Sequence, residues 1–111
     1  MPVLQQQVNL RYLEEQLNGL SPVQLLVRVY DVAIVSCEKQ DSDRVKRALV
    51  ELIGSLKFDA NREVATALLH LYNFCLRQNA MKRFDVVKRV LSELRNTWKE
   101  VEKSSHLVPV S

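Results

Sequence analysis

From residue 21 onward, apolar positions recur every three or four residues in four runs separated by short polar breaks. That is the period of an amphipathic α-helix. The first run opens at Ser21, with Pro22 next and Gln24 three residues after the serine, a capping box with proline in the first turn. It is expected to run to about Gln40, where "QDSD" supplies a break and a new cap. The second helix is expected from about Asp43 to Lys57, on a face of Val45, Ala48, Leu49, Leu52, Ile53 and Leu56. "FDAN" then makes a turn, with Asn61 or Asp59 as the next cap. The third runs from about Arg62 to Gln78 on a main stripe of Val64, Ala67, Leu68, Leu71 and Cys75. "QNAMKRF" connects it to a fourth, from about Phe84 to Lys103, with Val87, Val90, Leu91, Leu94, Trp98 and Val101 on one face. A weaker pattern from Leu4 to Leu17 predicts a short front helix on Leu10, Leu13 and Leu17, ended by Gly19. No alternating run and no Asn-Gly or Asp-Gly turn competes.

Four helices joined by short turns pack against their neighbours in alternating directions. The expected fold is therefore all-α: an antiparallel up-down four-helix bundle over residues 21–104. The N-terminal segment, residues 1–20, is expected to pack on the outside as a cap, and residues 105–111 to form a disordered tail.

On a helical wheel the second and fourth helices are clean, with one apolar and one charged face. The first and third carry a surplus. Val23, Leu26, Tyr30, Ala33, Ile34 and Cys37 form a core face on the first, and Leu25, Val29 and Val32 form a second stripe beside it. On the third, Ala65, Leu69, Tyr72 and Leu76 form a second stripe. Two accounts stay open. Either these are the more buried helices of the bundle, or the stripes line grooves for another amphipathic segment. Covering six or seven such side chains removes several hundred Å² from water, on the order of 5 to 10 kcal/mol before ordering costs. Something must cover the stripes in the free chain, and the front segment with Tyr12 is the candidate.

Charge and composition narrow the function classes. The net charge of +3 comes from 16 Lys and Arg spread among 13 Asp and Glu, a mixed solvated surface rather than a nucleic-acid face. Lys88, Arg95 and Lys99 share a side of the fourth helix, but Glu102 interrupts them and no aromatics interleave. Cys37 and Cys75 sit in apolar helical patterns without CxxC or Cys/His spacing, so they read as buried reduced thiols. That fits a cytoplasmic protein, as does the lack of a signal peptide or membrane span. His70 falls on a polar face and His106 in the tail, and no phosphate loop, G-x-S-x-G or metal-spaced pair is present. No enzyme activity and no cofactor are expected.

"SPVQLLVRVYDVAI" resembles the opening of the flagellin-specific export chaperones, the FliS family, through Tyr30, Asp31, Ala33 and Ile34. Tyr12 lies where that family often has a tyrosine in its front segment. "ELIGSLKFDANREVATALLHLYNFCLRQ" is similar to the family's middle, and "LSELRNTWKEV" to its closing Leu-Arg-x-x-Trp pattern, here Leu94, Arg95 and Trp98. Val32 stands where the family usually has glycine, and the connections after the first and third helices are shorter than usual. The resemblance implies a cytoplasmic chaperone, a monomer or weak dimer when free. It would bind the disordered C-terminal segment of new flagellin, prevent premature polymerisation and aid type III export for flagellum assembly, with the export apparatus as a further partner. The expected partner-binding residues are Tyr12, Leu25, Val29, Val32, Ala65, Leu69, Tyr72 and Leu76. The alternative is a helical-bundle adaptor, or a structural protein whose stripes are buried by self-association.

Overall fold

The computed structural model describes residues 22–107, with side chains to residue 103. Four helices make up the regular structure of this part: α1 (Pro22–Glu38), α2 (Ser42–Gly54), α3 (Arg62–Ala80) and α4 (Phe84–Leu107). These are the four expected from periodicity, with ends shifted by a few residues. α4 reaches Leu107, into the stretch expected to be tail. The Ser21 cap, the front helix, Tyr12 and residues 108–111 lie outside the described residues.

Local chemistry sets the helix ends. Asp41 caps α2 by accepting from the Arg44 amide at 3.2 Å, and Asn61 caps α3 by accepting from the Val64 amide at the same distance. α2 stops at Gly54, earlier than expected, because the Ser55 hydroxyl and amide both turn back to the Leu52 carbonyl. The ends of α1 and α3 share one design. The Asp41 amide reaches the Ser36 carbonyl while the Gln40 amide reaches Cys37; likewise the Arg83 amide reaches Gln78 while Lys82 reaches Asn79. Both are Schellman turns, and both place a non-glycine residue in the left-handed region, Gln40 at φ 56° and Lys82 at φ 60°.

α1 packs on α4 and α2, and α3 closes against α2 and α4. Cross-helix contacts give the directions. Tyr30 meets Trp98, Asp31 meets Arg95, and Glu38 meets Lys88, so α4 runs backwards along α1. Ser42, at the start of α2, meets Asn79, at the end of α3: the Asn79 amide donates to the Ser42 carbonyl at 2.9 Å, and the Ser42 hydroxyl donates back to Asn79 Oδ1 at 3.2 Å. This pair satisfies a buried asparagine and ties the two short turns together at one end of the molecule.

Among the described residues, the core is unevenly covered along its length. Ile34, Cys37, Val45, Leu49, Cys75, Val87 and Leu91 are buried in the middle and toward the short turns. Toward the opposite end, Leu26, Leu56, Leu68, Leu94 and Trp98 pack on the core but are only half-buried.

Candidate functional site

The second stripe of α1 follows from its spacing. Leu25, Val29 and Val32 recur at helical intervals, about a third of a turn from the buried face of Tyr30, Ala33, Ile34 and Cys37. α2 packs beside this stripe without covering it. A cleft of about 480 Å³ opens between Leu25, Leu26 and Val29 of α1, Leu52 of α2, and the Trp98 indole of α4. A smaller cleft of about 180 Å³ shares Leu26, Ser55, Lys57 and Trp98 with it, and continues against Leu56, Val64 and Leu68. A third, of about 270 Å³, shares Val29 and Glu51 with the first and extends between Arg28 and Val32 on α1 and Arg44, Arg47 and Ala48 on α2. Together they form one trough, from the α2–α3 connection past Trp98 and along the α1/α2 furrow.

Beneath the trough lies a polar contact within the core. The Trp98 indole N–H donates to the Tyr30 hydroxyl at 3.2 Å, and the Tyr30 and Tyr72 hydroxyls share a hydrogen bond of 2.5 Å. Tyr30 and Tyr72 are 0% and 1% exposed, so each needs the other's hydroxyl to be buried without loss. Burial holds both phenols above their ordinary range. It also pushes the Cys37 thiol up to about 11 and the Cys75 thiol up to about 12, so neither is a reactive thiolate near neutral pH. No group of three or more His, Cys, Asp or Glu among the described residues is arranged to hold a metal ion. The trough offers apolar surface with a charged rim, which suits binding rather than bond chemistry.

The structure brings Leu25, Val29 and Val32 together on this trough. It turns the inner face of α3 to the seam between the two expected stripes: Leu68 and Cys75 of the main stripe pack inward as expected, joined by two residues of the second stripe. Ala65 and Tyr72, placed on the outer stripe by the wheel, are core residues at 4% and 1% exposure. Val64 and Leu71, placed on the core stripe, are 48% and 37% exposed, and Ala67 is exposed as well. Aliphatic bulk favoured the stripe of Val64 and Leu71; the hydroxyl partner on α1 is what allows the larger Tyr72 ring to take the inner position. Ala65 and Tyr72 still form the floor of the smaller cleft, reached from inside the core rather than as an exposed stripe. Leu76 packs partly buried against the core, and Leu69 is half-buried and lines none of these three clefts. Two features of the site are absent from the wheel: Trp98, expected only to pack, walls two of the clefts, and the arginines of α2 rim the third. The Leu-Arg-x-x-Trp spacing was the available signal for Trp98.

The sequence model of a family described as flagellar protein FliS matches residues 38–105, more than half of the chain. No curated protein and no solved structure matches it. Among the described residues no helix is long and apolar enough to cross a membrane.

Proposed function

The chain belongs to the FliS family of flagellar proteins, a family of chaperones rather than enzymes, and on that premise we propose that it holds the C-terminal segment of flagellin in the cytoplasm before export. The observation that carries this reading is the continuous apolar trough along Leu25, Val29 and Val32, open beside Trp98. A disordered segment that becomes amphipathic on docking lays its apolar residues there, by helix-in-groove binding. The same residues are then hidden from other flagellin subunits, which prevents premature polymerisation. Because the segment is ordered only while docked, it is handed to the type III export machinery unfolded. Tyr12, Leu69 and Leu76 are counted in this reading as further contacts to the same segment.

Co-purification from the cytoplasm with flagellin, and with flagellin lacking its C-terminal segment, tests the reading. The intact subunit is expected to form a stoichiometric complex and the truncated one none. Retention of both, or of neither, overturns it. A tight dimer indifferent to flagellin in light scattering points instead to a self-associating structural protein.

A further inference from the structure

We propose that the α1/α2 furrow selects an acidic segment: the amphipathic stretch that docks there carries carboxylates along the edge of its apolar stripe, and Arg28 and Arg44 hold them. This deepens the reading above and rests on it.

The furrow has an apolar floor of Val29, Val32 and Ala48. Its rims are basic on both sides: Arg28 on α1, and Arg44 and Arg47 on α2. The three arginines face a single carboxylate in the lining, Glu51, which lies where the furrow meets the larger cleft. Arg47 is already bonded to Asp43 at 3.0 Å on the surface. Arg28 and Arg44 have no ion-pair partner among the described residues. Two uncommitted guanidinium groups on opposite banks of an apolar floor make a site with a sign. A helix that buries its apolar stripe on Val29 and Val32 brings the flanks of that stripe to the two banks. Glutamates or aspartates there meet arginine, and lysines meet like charge in a partly dried furrow.

The arginines are also confined to one end. From Leu25 to Val32 the stripe spans about 10 Å, at 1.5 Å per residue, and the arginines rim only the Val32 end. The other end is the larger cleft beside Trp98, mostly apolar, where the lining charges Lys57 and Glu51 are of opposite sign. The docked segment therefore has a direction, with an uncharged anchor against Trp98 and its carboxylates against Arg28 and Arg44. A segment laid in reverse loses both matches.

Two synthetic helical peptides test this on the full chain, identical in their leucine stripe and differing only in glutamate or lysine beside one end of it. In fluorescence anisotropy at low salt the glutamate peptide is expected to bind about tenfold tighter, and added salt to narrow the gap. In the R28E/R44E chain the order is expected to reverse. Both side chains are exposed, so the variant keeps its fold, as a melting curve checks. Equal affinities, or binding of neither peptide, overturn the proposal. So does R28E/R44E-sensitive binding to phosphatidylglycerol vesicles without discrimination between the peptides, which would mark a lipid surface. The flagellin C-terminal segment is then titrated into both chains, with about a tenfold loss expected for the variant. Equal binding to the two removes the furrow from the flagellin site and leaves the proposed function standing. No binding to the unaltered chain overturns that function, whatever the peptides do.

Discussion

Asp31 and Arg95 stand 64 positions apart in the chain and meet at 3.0 Å, the guanidinium Nη1 donating to the carboxylate Oδ1. The residue before Asp31 and the residue one turn after Arg95 are likewise joined, through the Tyr30 hydroxyl and the Trp98 indole. The opening and closing stretches of the family resemblance therefore meet in one contact between α1 and α4, and that contact fixes the wall of the trough. A double-mutant cycle with Asp31→Asn and Arg95→Gln, followed by urea unfolding, is expected to give a coupling of about 0.5 to 1 kcal/mol, since the pair is only partly buried. Additive losses would show that the two residues merely lie near one another.

The tyrosine pair predicts an asymmetry. Tyr30 takes part in two hydrogen bonds and Tyr72 in one. Tyr72→Phe removes one bond and is expected to cost about 1 to 2 kcal/mol. Tyr30→Phe leaves both the Tyr72 hydroxyl and the Trp98 indole N–H without that partner, and is expected to cost about 1 kcal/mol more. The double variant should cost less than the sum of the two. Equal single losses in denaturant melts would contradict the network.

Alkaline pH is expected to unfold the protein through its buried acids. Cys37 and Cys75 are held neutral, up at about 11 and about 12, against an ordinary thiol value of 9.0, chiefly by burial. The folded state therefore keeps its thiol protons where the unfolded chain has lost them. The stability this gives is fully present below pH 9 and is lost as pH rises from there through 11 to 12. Tyr30 and Tyr72, also raised by burial, add a loss of the same sign above their ordinary value of 10.0. Urea midpoints at rising pH should stay level to about pH 9 and then fall. The Cys37→Ala, Cys75→Ala chain should fall less between pH 9 and 10, before the tyrosines contribute.

The trough predicts a separation of binding from folding. Val32 is 47% exposed and Leu25 half-buried outside the central cluster, so Val32→Asp and Leu25→Glu are expected to abolish flagellin binding with little change in melting temperature. Val64→Gln and Leu71→Gln, on the outer face of α3, should cost less than about 0.5 kcal/mol. Truncating Tyr72 to alanine empties a core position and is expected to cost about 3 to 5 kcal/mol. A collapsed circular-dichroism signal in Val32→Asp would place that residue in the core.

The two left-handed turn residues predict a gain. Gln40→Gly and Lys82→Gly relieve the side-chain clash of positive φ, and each is expected to add about 0.5 to 1 kcal/mol of stability. A loss from either would mean that its side chain makes a contact worth more than the strain.

The helices and their caps were legible because they depend on nearby residues: Asp41 and Asn61 act on amides three positions ahead. The outer stripe of α1 was legible because its opposite face is polar enough to orient the wheel. α3 was not, since Val64, Ala65, Leu68, Leu69, Leu71, Tyr72 and Cys75 spread over nearly half of its circumference and periodicity cannot choose which part of that arc faces in. The choice falls to a hydroxyl 42 positions away, on Tyr30. The basic furrow was hidden for a similar reason. Arg44 and Arg47 look like the solvated side of a clean helix until α1 is laid beside them.

The uneven cover of the core implies uneven kinetics. Amide protons around Leu49, Cys75 and Leu91 should exchange only when the whole molecule unfolds, whereas those near Val23 and Val101 should exchange through small local openings. A segment seated beside Trp98, as proposed, would supply apolar neighbours that the described residues lack at that end, making the cargo a removable part of the fold. Its arrival should slow exchange there far more than at the short turns. Its departure requires only the loose half to open, while the Ser42–Asn79 end keeps the helices in register for the next passenger.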